Sequence, residues 1–410
     1  MAFEVLKDRN YALYLGGNTV SWIGTWMQRT AIGWLSWELT ESSSWVGLIV
    51  LAQYLPLVFI APLFGVLIDR MDRRRYAIVC LLVQILLNTG LFVTHAMGFL
   101  NIHALLACCV LLGIGNAAYQ PIRLTLIHDI APREYLTQAI SLNAVVFNVT
   151  RVVGPAMGGI SISTIGVGGT FLINTLTFLG TLFSLLVVYI RPTARSSKGG
   201  GVFFQLLEGL RYINSVPKFL ELFVLSVAIA AFGRGVLELL PAFAGGVFER
   251  GSSGLATLMA VAGAGGIVAG VLLSGTTRRS TLVTFISVGC ALQGLFVALL
   301  GFSSLFLLAA LSIFGIAAMS TLASIGMQAA LQADLDSAFR GRVVSIWGMI
   351  TVAGPALGAS ILGALAQVTG LPAVAIISGV LCTLICIGVM WRSRFFPLGG
   401  RGLKHTSDAP

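Results

Sequence analysis

Long apolar runs alternate with short polar breaks along almost the whole chain. A helix that spans a bilayer needs roughly 20 apolar residues, and the pattern predicts twelve such helices. The first six are expected over about residues 11–37, 45–68, 76–97, 102–127, 139–165 and 169–190. The second six are expected over about 219–243, 255–273, 282–302, 305–331, 343–368 and 373–391. One clear break in composition, RPTARSSKGGG (191–201), divides the two sets. It is basic and rich in Gly and Ser, which marks a linker. VFFQLLEGLRYI after it has helical apolar spacing and is expected to lie along the membrane surface. The predicted organisation is therefore an N-terminal half (1–190), a linker with an amphipathic helix (191–216), a C-terminal half (217–394) and a polar tail (395–410).

The two halves carry matching residues. Gly65, Arg73 and Arg74 recur as Gly270, Arg278 and Arg279, and Arg29 recurs as Arg234, all at an offset of 205. Gly113-Ile114 recurs as Gly315-Ile316, and the run Gly154 to Gly158 (GPAMG) as Gly354 to Gly358 (GPALG), at offsets of 202 and 200. Four matches at a nearly constant offset indicate duplication. Parallel six-helix halves with a site between them are a transporter architecture. The expected fold is thus all-α and integral to the membrane, with twelve transmembrane helices in two pseudo-symmetric halves.

Composition sharpens this picture. The chain of 410 residues is 57% hydrophobic, with a mean hydropathy of +0.94. A net charge of +10 raises nucleic acid as a partner. Most of the lysines and arginines instead fall at helix ends on one side, the positive-inside pattern, so that side and both termini are expected to be cytoplasmic and no nucleic-acid partner is expected. The first ten residues carry Glu4, Lys7, Asp8 and Arg9, so no cleavable signal is expected there. Cys80, Cys108, Cys109, Cys290, Cys382 and Cys386 all sit in apolar runs and read as packing residues. No metal site, cofactor, nucleotide-binding loop or catalytic triad is expected, and the chain is not read as an enzyme.

Charges inside a membrane are costly and mark function. Arg29, Arg151, Arg234 and Glu238 are the clearest. Asn18, Trp22, Trp26 and Arg29 share one face of helix 1. That face suits an aromatic or anionic molecule, although an interfacial aromatic belt with a snorkelling Arg has the same spacing; Trp34, Trp37 and Trp45 are expected to supply such a belt nearer the outer surface. Asn116, Tyr119, Gln120 and Arg123 form a polar set on helix 4, and Asn148 with Arg151 is expected to face the path from helix 5. Arg234 and Glu238 are four residues apart, so they are expected to pair. Glu238 is the candidate proton carrier; a purely structural ion pair is the alternative.

The stretch GVLIDRMDRRR (65–75) packs six charges into seven residues between helices 2 and 3. It resembles the signature loop of the major facilitator superfamily, G-x-x-x-D-R-x-G-R-R. Gly65, Asp69, Arg70, Arg73 and Arg74 match, and Asp72 replaces a Gly. The resemblance implies a conformational lock in which Asp69 lies against the start of helix 11 and Arg73 pairs with Asp129. Arg340 or Arg342 would join them, and the cytoplasmic ends of the halves would be held together. Gly154, Pro155, Gly158 and Gly159 on helix 5 are similar to the G-P-x-x-G-G element of the superfamily's antiporters, which are exporters; simple helix packing is the other reading. With PIRLTLIHDIAPREYLTQAISLNAVVFNVTRVVGPAMGG (121–159), from the end of helix 4 into helix 5, the chain resembles the branch of enterobactin exporters and macrolide efflux proteins. That implies a bacterial inner-membrane exporter, monomeric, moving a siderophore or drug-like small molecule against protons. Uptake of a metabolite or lipid, or a membrane sensor without transport, are the rival readings.

Overall fold

A computed structural model describes residues 4–68, 71–190, 202–273, 279–336 and 339–393. Among these residues there is no strand. The first membrane helices are α1 (Arg9–Thr40), α2 (Ser43–Ile68), α3 (Arg73–Ala96) and α4 (Ile102–Ile130). Leu136–Val187 is continuous in hydrogen bonding but turns at Gly166, whose φ of 76° suits glycine, giving α5 (136–165) and α6 (167–187). An amphipathic linker helix (Val202–Ser215) follows. The remaining helices are α7 (217–247), α8 (Gly251–Leu273), α9 (Arg279–Phe302), α10 (Phe306–Asp334), α11 (Arg340–Thr369) and α12 (Leu371–Arg392).

Side-chain chemistry explains several boundaries. The carboxylates of Asp8 and Asp72 accept from the backbone N–H of Tyr11 and Arg75, and the Asn101 amide oxygen accepts from that of Ala104. Each satisfies an orphan donor at a helix start. Asp72 is the residue that departs from the signature pattern, and in this chain it caps α3 instead of supplying a flexible turn.

The polarity of the bundle is inverted relative to a soluble protein. Phe59, Leu86, Phe183, Leu307 and Val368 are exposed, whereas Gln84, Asn88, Asn174 and Gln293 are buried. Lipid accepts the former, and the interior must satisfy the latter. Ten helical stretches are long and apolar enough to cross a bilayer. One of them contains the Gly166 bend and therefore counts as two. The polar α1, 32 residues long, completes the twelve.

α7 is irregular. Ile229–Arg234 and Phe243–Val247 are π-helical, and Leu239 leaves helical geometry just before Pro241. The buried Gln293 of α9 donates to the Ile229 carbonyl at 3.2 Å, and Gly233 leaves room for it. This serves a backbone group at the distorted turn.

Arg73, Arg74, Arg133, Lys218, Arg340 and Arg342 mark one end of the bundle, called here the basic end. At the opposite end a single apolar core joins residues of both halves, including Ile32, Leu35 and Ile49 with Val236, Phe243 and Leu255. Toward the basic end the packing divides into two cores. One holds Tyr11, Tyr76, Ile122 and Leu126 of α1–α6; the other holds Phe219, Met327, Val343 and Met390 of α7–α12. The halves are thus fused at the far end and separate cores near the basic end.

Small residues permit the fusion. A side-chain carbon on Gly47 or Gly363 would collide with the carbonyls of Ala359 and Ser43, where α2 meets α11. Gly159 lies against the backbone of Ala256 where α5 meets α8. Close backbone approach of this kind holds helices together in lipid. Trp37, which the sequence places in an interfacial belt, packs instead on Gly245 and Gly246 of α7 and closes the far end.

Candidate functional site: a cationic central cavity

A cavity of about 410 Å³ lies between the halves. Asn18, Trp22, Trp26 and Arg29 line it from α1, and Asn116, Tyr119 and Gln120 from α4. Arg151 and Pro155 of α5 and Arg234 and Glu238 of α7 complete the set singled out in the sequence. The spacing argument for the α1 face is the reason these side chains converge: four residues on one helical stripe necessarily face one direction. Asn148 does not join them; it is exposed and donates to the Ala144 carbonyl.

The expected Arg234–Glu238 pair is replaced by a different arrangement. Arg29 Nη2 donates to Glu238 Oε2 at 2.7 Å, joining α1 to α7. Arg234 donates to the hydroxyls of Ser320 at 2.6 Å and Ser324 at 2.9 Å on α10. The i, i+4 rule assumes 3.6 residues per turn. Residues 235–238 keep that geometry, so the side chains part because other partners take them: Ser320 and Ser324 take Arg234, and Arg29 takes Glu238. Arg29 also stacks 4.2 Å above the ring of Tyr54 and 5.1 Å from that of Trp26. Arg151 is exposed to the cavity and lies within electrostatic reach of Arg29 and Glu238.

On the α4 side, Arg123 sits 4.8 Å over Trp22 and 5.5 Å over Phe147, and Trp22 meets Phe147 edge to face. The floor is a buried amide network: Gln84 donates to Asn116 at 3.1 Å, Asn174 to Asn88 at 3.2 Å, and Asn174 also to Gln28. Among the described residues, the cavity lining holds four arginines and one carboxylate. Such a lining attracts anions and disfavours cations.

The profile of the family described as transmembrane secretion effector, a branch of the major facilitator superfamily, matches residues 2–399. The chain belongs to that family. It is therefore a multi-pass membrane transporter and not an enzyme. It is 22% identical to the staphyloferrin A transporter of Staphylococcus aureus (strain NCTC 8325 / PS 47), over 70% of this chain and 72% of that one. It is 26% identical to the enterobactin exporter EntS of Citrobacter koseri (strain ATCC BAA-895 / CDC 4225-83 / SGSC4696), over 87% of this chain and 81% of that one. Among solved structures, a bacterial homologue of the human lysosomal transporter Spinster, inward-facing and unoccupied, superposes with a TM-score of 0.68 at 16% identity, covering 95% of this chain and 98% of that one.

The facilitator's signature region is described only in part. Asp69 and Arg70 lie outside the described residues, and Gly65 falls in the last turn of α2. Arg73 Nη1 makes hydrogen bonds of 2.9 and 2.8 Å to both carboxylate oxygens of Asp129. This pair joins α3 to α4 within one half, so by itself it does not bridge the halves. Arg74 donates to the Leu186 carbonyl at the end of α6. Arg342 is not gathered into this group. It pairs with Glu208 of the linker helix at 3.1 Å and stacks on Phe339, because α11 begins beside the linker in the C-terminal half.

In α5 the glycines divide their work. Gly154 accommodates Trp26, and Gly158 accommodates Met27 and Thr30, within one half; Gly159 meets α8 across the halves. Tyr54, Gln28, Asn88, Asn174 and Phe147 were not signalled as site residues in the sequence. A polar side chain at mid-helix was the available signal for Gln28, Asn88 and Asn174. Tyr54 and Phe147 carry no such mark, because aromatic residues in apolar helices are ordinary.

Proposed function

We propose that this facilitator is a proton-driven exporter of a small anionic, aromatic molecule, working by alternating access. The observation that carries the reading is the cavity itself, where four arginines, two of them lying over aromatic rings, share the lining with one carboxylate among the described residues. Buried guanidinium groups favour carboxylate or catecholate oxygens, and aromatic walls favour a planar body. The positive-inside rule assigns the basic end to the cytoplasm. The divided cores near that end then correspond to a cavity that loads from the cytoplasm, as an exporter requires. The relatives named for staphyloferrin A and enterobactin agree with an anionic cargo and supply the siderophore class as the first to test.

Glu238 is the proposed proton carrier. Its carboxylate is held by Arg29, and either an anion that takes Arg29 or a proton that neutralises Glu238 opens the pair. Substrate and proton would thus each release the same latch between the halves, one on the outward step and one on the return. In this cycle substrate binding from the cytoplasm loosens the far end, and protonation from outside permits return. The Arg73–Asp129 pair is assigned to stiffening the N-terminal half while Asp69 engages its partner in the other state.

Inverted membrane vesicles test the direction. Vesicles carrying the protein and acidified inside should accumulate labelled catecholate siderophore. Accumulation only in right-side-out vesicles would instead identify an importer.

A further inference from the structure

Arg123 stands apart from the other cavity arginines. Arg151 is within electrostatic reach of Arg29 and Glu238, and Arg234 of Arg151 and Glu238, so these four form one cluster. The neighbours of Arg123 are aromatic: Trp22 and Phe147 lie against its guanidinium, and Tyr119 lies one turn before it on α4. Among the described residues no carboxylate forms an ion pair with it. Its backbone is pinned, because Tyr14 donates to its carbonyl at 2.8 Å. The guanidinium lies over Trp22 and Phe147, which meet edge to face at 5.3 Å.

Two donors in this box are unsatisfied. Trp22 is 5% exposed and its Nε1 has no hydrogen-bond partner; Arg123 Nε is also buried without one. Buried donors are normally paired, and an exception calls for an explanation. An intramembrane cation without a counter-ion calls for one more strongly. Both residues line the cavity, so a small rearrangement of the box on binding would let a ligand acceptor supply what the protein does not.

The spacing follows from α1. Trp22 marks the box and Arg29 the cluster. Seven residues at ~1.5 Å per residue separate them by about 10 Å along the helix, with Trp26 between.

We propose that the cavity recognises a rigid amphipathic dianion at two points. One acidic group binds the Arg29–Arg151–Arg234 cluster, a second planar acidic group enters the Trp22–Phe147–Arg123 box, and an aromatic spacer lies along Trp26. The proposal rests on reading this cavity as the substrate site. It adds that cargo carries two acids set apart, and that Arg123 selects the second. A single-acid ligand fills the cluster and leaves the box empty.

The test is calorimetric binding to the full chain in lipid nanodiscs. Three probes suffice: para-linked biphenyl dicarboxylate, the matching biphenyl monocarboxylate, and the shorter terephthalate. The dicarboxylate is expected to bind at least tenfold more tightly than either of the others. Arg123→Gln should weaken the dicarboxylate about 10- to 100-fold, the scale of a hydrogen bond to a charged group, and leave the monocarboxylate unchanged. Arg123→Lys should recover part of the loss, since it restores charge without the planar fork; it also serves if the Gln variant does not fold. Trp22→Phe, which keeps the ring and removes the donor, should show a smaller loss confined to the dicarboxylate. Equal affinity for the three probes, equal loss of mono- and dicarboxylate in Arg123→Gln, or no binding at millimolar concentration would overturn the proposal. Binding is read here without flux. Failed transport with this pattern intact would count against the exporter reading alone, and intact transport without the pattern would count against two-point recognition alone.

Discussion

Arg29 of α1 and Glu238 of α7 form a 2.7 Å ion pair that ties the two halves together beside the central cavity. Both side chains are largely shielded, at 16% and 25% exposure. Removing one partner of such a pair leaves the other charge uncompensated, at a cost on the order of 2–3 kcal/mol after allowing for partial solvent access. Glu238→Gln and Arg29→Gln are each expected to lower the melting temperature. The double variant should be no worse than the more damaging single one, because it leaves no stranded charge. The double-variant cycle in lipid nanodiscs checks this. Strictly additive losses would show that the pair is not coupled.

The same pair bears on conformation. Spin labels on the far-end segments around Glu41 and Glu249 should report a short separation in the parent chain and a larger, broader one in Glu238→Gln. An unchanged distribution would mean that Trp37 and the glycine contacts close that end without help from the ion pair.

The glycines of α5 permit a sharper contrast. Gly158 and Gly154 face α1 within one half, whereas Gly159 faces Ala256 across the halves. Gly158→Val should therefore destabilise the N-terminal half, since the backbone of Met27 cannot retreat; overpacking costs about 1–3 kcal/mol. Gly159→Val should leave the folded protein intact and hold the far end apart, because rigid halves can separate. Size-exclusion yield with distance measurements separates the two outcomes. Equal loss of folded protein in both variants would contradict the division.

Arg73 and Asp129 make a third case. Asp129 is almost fully buried and its carboxylate accepts twice from Arg73. Arg73→Gln is expected to lower stability by about 2 kcal/mol or more, with little change in the distance between halves. A large conformational shift without loss of stability would instead assign the pair to the inter-half lock.

Much of the fold is legible in the sequence because a bilayer imposes a simple rule: long apolar helices with charges at their ends. The α1 face of Asn18, Trp22, Trp26 and Arg29 is legible for the same reason, since intramembrane polarity is expensive and helical spacing fixes direction. The partner of Glu238 is not. Local spacing selects Arg234, but the approach of Ser320 and Ser324 from α10 and of Arg29 from α1 determines the outcome, and neither has a short-range signature. Trp37 is misread for a related cause. Its indole has the look of an interfacial anchor until Gly245 and Gly246, more than 200 positions away, are brought beneath it. The pairing of Arg342 with Glu208 of the linker helix is likewise not legible, because no local spacing relates two residues more than 130 positions apart.

The central claim is coupled transport of an anion, and one measurement reaches it most directly. The purified chain is placed in proteoliposomes with a pH-sensitive dye inside and a pH gradient imposed across the membrane. Catecholate siderophores, macrolides and cationic dyes are then added in turn. The account predicts proton movement triggered by the anionic catecholates, weak or absent with the cationic dyes, and lost in Glu238→Gln. Proton movement triggered by cationic dyes alone, or undiminished catecholate-driven movement in Glu238→Gln, would contradict it.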